Sequence, residues 1–249
     1  MKPKDLLFAH RYTEAVEAYR AHLLQHPEQD YYPGLGRALL CLGLFPEALS
    51  AFKKANEIGS QRIKGSVPCI NEIATALWLS GGKNNAKQQW QNATQGILNG
   101  SIHYGDAAGG VTQGLLLWYA AVTLNDADTR EYALKYMRSL ISKKVYGSAV
   151  LWPRPIAMMV LGDCSFEKVL EIGVGSCVLD DCIKEAKNDL LKRRRLCQTL
   201  FYSACRERES GIETKCIKMM LTCCNLENPI IELEWYLARK ECCAREVVD

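Results

Sequence analysis

The chain has 249 residues, of which 48% are hydrophobic and 24% charged, with a formal net charge of +3. That is enough apolar material for one large core or two small ones, and it excludes a disordered chain. A charge this near balance gives no reason to expect a nucleic acid or a lipid surface as partner.

No apolar run reaches the roughly 18 residues of a membrane span. The start, MKPKDLLFAHRYTEAVEAYR, has no uninterrupted apolar stretch of the kind an export signal needs, so a cytoplasmic protein without a membrane partner is expected. The 12 cysteines would imply a disulfide framework in a short exported chain. In a chain of this length without a signal, reduced thiols are expected instead. Ten of the 12 fall after residue 160.

Apolar residues recur at three and four along most of the chain, and β-branched alternation is nearly absent, so an all-α protein is expected. At the start, Tyr12, Ala15, Tyr19 and Pro27 mark the second helix of a hairpin whose first helix is short. Residues 29 to 61 read as two short helices. Gly36 and Ala48 stand where their backbones come close, with Tyr32, Leu35, Leu39, Phe45, Phe52 and Ala55 around them. GSQRIKGS reads as a loop. Helices VPCINEIATALWL and NNAKQQWQNATQGIL come next, with Ala74, Gly81, Ala86, Trp90 and Ala93 in the same small-and-aromatic pattern.

GSIHYGDAAGG, residues 100 to 110, is rich in turn-formers. Beyond it lie VTQGLLLWYAAVTL and TREYALKYMRSLISKK, with Ala121 and Ala133 as the close-contact pair. The prolines of Trp152-Pro153-Arg154-Pro155 forbid a preceding helical turn and allow a helix to begin at Ile156. It stops at Gly162-Asp163, and a short helix covers Phe166 to Ile172. Residues 179 to 208 read as one long helix or two joined end to end. The return helix carries Cys216, Met220 and Cys223 after Gly211, and faces Ala204. The last helix is expected to begin with Asn228 as cap and Pro229 at its first position, with Ile231, Trp235 and Leu237 sealing the open end.

Tyr32, Leu35-Gly36, Leu39, Gly43, Phe45, Ala48, Phe52 and Ala55 stand at the spacing of a tetratricopeptide repeat (TPR), and the chain resembles that superfamily. The resemblance implies a TPR-like α-solenoid of helical hairpins with a C-terminal capping helix, residues 1 to 249 forming a single superhelix or a compact ring. Its parts are regular hairpins over 1 to 98, a loop with a looser hairpin over 99 to 150, and a further hairpin and cap over 151 to 249. The C-terminal half also resembles NlpI-type TPR proteins. It shares Trp152-Pro153, a helix ending in Leu161-Gly162, Ser165, LFYSACRERESG, and a last helix with Glu234, Tyr236, Leu237 and Ala238, without that family's export signal.

Several residue groups invite chemistry. Zinc wants closely spaced ligand pairs on tight turns, whereas Cys223-Cys224 and Cys242-Cys243 are adjacent on helices and point about 100° apart. Structural thiols replacing small core residues are expected, with no metal and no cofactor. His103 and Asp106 share the glycine-rich stretch, so a hydrolase built on that pair is an alternative of another class. The run Lys192-Arg193-Arg194-Arg195 winds round a helix, and reads as a solvated face answering Asp180, Asp181, Glu185 and Asp189.

In TPR arrays the first helices line a concave face. Carried over by register, that resemblance gives Arg37, Leu40, Asn71, Thr75, Trp78, Trp118, Asn125, Gln198, Phe201 and Arg208 as partner-binding positions. Trp78, Trp118 and Phe201 serve equally as core. The mixture suits a protein partner, and a non-enzymatic scaffold is expected. By resemblance to bacterial solenoid proteins encoded beside toxins, it is expected to be an immunity protein that neutralises a toxin domain. A general adaptor or effector chaperone is the alternative.

Overall fold

The computed structural model describes residues 1–27, 31–63, 66–102, 109–142, 152–230 and 232–243. Among them every extended regular element is an α-helix. The chain divides into two compact units, Met1–Tyr104 and Gly105–Asp249.

The first unit contains α1 (Pro3–Phe8), α2 (Tyr12–Gln25), α3 (Tyr32–Cys41), α4 (Phe45–Arg62), α5 (Ile70–Leu79) and α6 (Lys83–Leu98). Each helix packs on the next along the chain. The reason is a turn that recurs. His10, Gly43 and Gly81 sit at φ 59°, 74° and 93°, in the left-handed region. At each, two backbone N–H groups fold back onto the helix just ended: His10 to Leu7 and Arg11 to Leu6, Gly43 to Leu40 and Leu44 to Leu39, Gly81 to Trp78 and Gly82 to Leu77. This doubly bonded closure satisfies carbonyls a helix end would otherwise leave open, and it reverses the chain within three residues.

The helices entered from these turns are built alike as well. Ala15, Ala48 and Ala86, all 0% exposed, let the second helix approach the first, and Tyr19, Phe52 and Trp90 come one turn later at 5%, 0% and 0%. The space for an aromatic ring comes from the facing helix: a Cβ on Gly36 would lie 2.4 Å from the Phe52 ring, and one on Gly34 2.4 Å from Tyr19. Helix α4 runs to Arg62, so half of the expected GSQRIKGS loop is helical. Gly59 explains it, since Pro68 lies where a side chain would stand, 2.9 Å from an added Cβ, while Asn56 Oδ1 accepts from the Cys69 N–H at 2.7 Å.

The second unit contains α7 (Val111–Thr123), α8 (Ala127–Ser142), α9 (Arg154–Leu161), α10 (Phe166–Val174), α11 (Leu179–Asn188), α12 (Leu190–Glu209), α13 (Glu213–Cys224) and α14 (Leu233–Cys243). Helix α12 is its centre and touches α7, α9, α10, α11, α13 and α14. Its residues Leu196, Cys197, Leu200, Phe201, Tyr202, Ala204 and Cys205 are all fully buried. The reversing turn reappears at Asn125, Gly162 and Gly211, at φ 53°, 87° and 75°. After Gly211 the seam is again small and apolar, with Cys216 and Cys223 at 0% exposure and Met220 at 2%. In the α7–α8 hairpin the register slips, and Gly114 makes room for Met137 and Tyr136, 2.7 and 2.8 Å from an added Cβ.

Several boundaries differ from those expected from the sequence. Helix α9 starts at Arg154, ahead of the expected Ile156, because Pro155 is tolerated in a first turn. Of the two readings left open for residues 179 to 208, the structure has two helices, broken at Asp189 (φ −127°, ψ 108°), whose carboxylate accepts from the N–H groups of Leu191 and Lys192. The last helix begins at Leu233 and not at Pro229. Asn228 Oδ1 does accept from the Ile230 N–H at 2.7 Å, but Ile230 sits at φ 66°, in the left-handed region, so no helix runs on from Pro229. Trp235 and Leu237 are buried as expected, at 7% and 0%, and Ile231 lies outside the described residues.

These seams give a direct test. Gly36→Ala forces a methyl into the Phe52 ring and is expected to lower the unfolding free energy by about 1–3 kcal/mol. Gln88→Ala on an exposed face should change it by less than about 0.5 kcal/mol. Urea denaturation followed by circular dichroism measures both.

Candidate functional site

In the first unit, Arg37 on α3 reaches Glu72 on α5 at 2.9 Å and ties two first helices together, with 33% of the Arg37 side chain exposed. Burial works against the Arg37 charge, but Glu72 outweighs it and raises the pKa above the usual guanidinium value. The neighbouring expected residues do not share this exposure. Leu40, Asn71, Thr75 and Trp78 are buried, and the Trp78 ring lies 5.8 Å from that of Trp90 with the Lys83 ammonium over it. Helix α5 is buried round almost its whole circumference, from Ile70 to Ala76 without a gap. These four are therefore core, because register assigns a face only where a helix is covered on one side.

In the second unit, Trp118 and Phe201 are likewise 0% exposed, and the Phe201 ring packs 4.9 Å from Tyr119. Gln198 belongs to a buried polar cluster. Its side-chain oxygen accepts from Trp152 Nε1, and its Nε2 donates to Glu234 at 3.4 Å. Tyr202 also donates to Glu234, at 2.8 Å. Glu234 is 2% exposed; burial and the adjacent Glu232 carboxylate raise its pKa to about 7, against the hydrogen bonds it accepts. Glu232 in turn pairs with Arg194. A carboxyl of raised pKa is a mark of active sites, yet this one is closed off from solvent and holds α14 to α12.

Asn125 and Arg208 are brought together. They border a recess of about 170 Å³ between the α7–α8 turn and the end of α12, lined also by Val122, Asp126, Arg130 and Glu209. Two elements position these groups. The turn at Asn125 is the one described above, but where Gly43, Gly81 and Gly211 have open space beside them, this turn carries a side chain. Asn tolerates the left-handed conformation at small cost. Asp126 then accepts from the Thr129 N–H at 3.0 Å and from its hydroxyl at 2.7 Å, which fixes the start of α8. On the other wall, Arg208 donates to Glu241 of α14 at 3.0 Å and to Thr123 at 3.3 Å, and Tyr119 donates to the second Glu241 oxygen at 2.9 Å. Burial opposes the Arg208 charge, and Glu241 more than restores it, so its pKa is raised. Burial and Glu241 both push the Tyr119 phenol well up. Arg130 faces Glu209 across the rim at 3.3 Å. The recess thus offers paired charges of both signs held at fixed positions.

The basic run does not form a solvated face. Arg193 is 9% exposed, donates to the carbonyls of Ala186 and Lys187, and pairs with Glu227. Arg195 lies over the Trp152 ring. Of the expected acids, Glu185 is answered by Lys192 at 2.8 Å and Asp181 by Lys184 at 3.5 Å. The run is spent fastening α12 to its neighbours, which charge patterning within one helix does not reveal. Glu241, Tyr119 and Arg130 are site residues that the sequence does not announce; their partners are distant in the chain, and no local spacing marks them. His103 and Asp106 lie outside the described residues. Among the described residues no helix is long and apolar enough to cross a membrane, and no three His, Cys, Asp or Glu side chains are grouped to hold a metal ion.

Compared with protein-family models and with the sequences of curated proteins, the chain matches none.

Three outcomes are expected. Glu241→Gln strips a nearly buried arginine of its counter-charge and should cost about 3 kcal/mol. Arg130→Gln, which breaks a half-exposed pair, should cost less than about 1 kcal/mol; chemical denaturation separates the two. Glu234 holds its proton more tightly folded than unfolded, so its contribution to stability is fully present below about pH 4.5 and is lost as pH rises through about 7. Glu234→Gln should flatten the fall in denaturation midpoint between about pH 5 and pH 8.

Proposed function

We propose that this chain is a TPR-like helical-repeat scaffold that acts by binding another protein, in the cytoplasm and without chemistry of its own. The observation that carries the reading is the recurrence of one hairpin: a left-handed turn residue, a small residue five places later and an aromatic or methionine four places after that, at His10, Gly43, Gly81 and Gly211. Units that bury their faces chiefly against their neighbours build extended surfaces, and such surfaces serve recognition.

The contact we assign to the partner is the recess of Asn125, Arg130 and Arg208 on the second unit. Fixed charge pairs beside a polar amide select a partner by complementary charge and hydrogen bonding more than by apolar area. The sequence's resemblance to solenoid proteins encoded beside toxins favours a folded toxin domain as that partner, which makes the chain an immunity protein.

Co-expression tests this. Growth arrest by the cognate toxin domain should be relieved by the intact chain and return with Asn125→Lys plus Arg130→Glu, with the variant's thermal midpoint kept near the original. Equimolar capture of that domain by the purified chain is expected alongside. Loose capture of many extended peptides, with no relief of arrest by any candidate toxin, would point to an adaptor.

A further inference from the structure

Helix α13 ends at Cys224, and Cys242 stands in the last turn of α14. Their Sγ atoms are 3.2 Å apart, with the Cys224 thiol donating to the Cys242 sulfur. Both side chains are partly exposed. A disulfide needs about 2 Å between sulfurs, so this pair stands only about 1 Å beyond bonding distance. A second close pair provides the contrast: Cys197 and Cys223 have Sγ atoms 3.5 Å apart but are 0% exposed, beyond the reach of any dissolved oxidant.

We propose that Cys224 and Cys242 are a reversible disulfide site that locks α14 onto α13 when the chain meets a small-molecule disulfide. Exchange proceeds in two displacements. The Cys242 thiolate attacks one sulfur of the reagent, forming a mixed disulfide and expelling one thiolate. That thiolate takes the Cys224 proton, and the Cys224 sulfur attacks Cys242 and releases the second thiolate, which is protonated by the proton Cys242 lost. Two protein thiols are oxidised to one bond, and one reagent disulfide is reduced to two thiols. The order comes from the geometry. The S–H that Cys224 donates favours negative charge on Cys242, whereas Cys224, hydrogen-bonded to Cys242 and partly buried, has its thiol pKa pushed up, against the opposing pull of Arg239. Cys243 is exposed but adjacent on the helix, and so points about 100° away.

The consequence reaches the recess. Glu241 precedes Cys242 and holds both Arg208 and Tyr119. A covalent link one residue away fixes that carboxylate whatever partner the recess takes, so the inference stands apart from the functional reading.

The test uses the whole chain, reduced and then exposed to oxidised glutathione, with remaining thiols alkylated before peptide mass mapping. The expected result is an intramolecular Cys224–Cys242 link that is absent in Cys224→Ser and Cys242→Ser, retained in Cys243→Ser, and reversed by dithiothreitol. The thermal midpoint should rise by about 5 °C or more on oxidation, as a crosslink closing a loop of this length implies for a chain of this size. Recovery of both cysteines alkylated, a link to any other cysteine in their place, or a link that leaves the midpoint unchanged overturns the proposal.

Discussion

The structure depends on the way each first helix is closed. A residue held at positive φ and the residue after it each send an N–H back to the preceding helix, and the chain re-enters the next helix in a fixed direction. That direction is useful only if the second helix can lie close. Ala15, Ala48, Ala86 and Cys216 provide the closeness, each fully buried, and the aromatic or methionine one turn later fills the space it leaves. Conformational strain at the turn is small for glycine, and the packing it permits is worth several kcal/mol per aromatic side chain. Packing energy therefore dominates, and the turn serves to direct it.

Much of this is legible in the sequence because it is local. Gly43, Gly81 and Gly211 announce turns, and the small residue and aromatic at constant offsets announce the seam. The all-helical class and most hairpins come from those signals alone. Where the offsets slip, as between α7 and α8, the sequence still marks the hairpin through Ala121 and Ala133, but the ring is accommodated from Gly114, to which no periodicity points. The later start of the last helix has a similar origin: Asn228 and Pro229 look like a helix start, and the left-handed Ile230 that follows stops it.

The site is less legible than the fold. Register places ten residues on one face, and burial divides them: Leu40, Asn71, Thr75, Trp78, Trp118 and Phe201 are core, Gln198 is part of a buried cluster, and Arg37, Asn125 and Arg208 retain exposure or line the recess. The failure is physical. A first helix covered by its own partner and by further helices is apolar or packed on most sides, and a period of 3.6 then loses its meaning as a pointer to the surface. The acids that answer Arg208 and Arg194 are Glu241 and Glu232, far along the chain, so charge pattern alone makes the basic run look solvated. Helix α14 and the residue just before it bring both acids and Glu234 to α12, which makes the last helix the keystone of the second unit.

Amide hydrogen exchange followed by NMR tests the central claim most directly, because the account makes the turn residues part of the helices they close. The backbone amides of His10, Gly43, Gly81, Asn125 and Gly211 should exchange as slowly as those of the last turn before each, since every one donates back to the preceding helix. Exchange of these amides at the rate of open loops would contradict the recurrent closure and, with it, the hairpin scaffold built upon it.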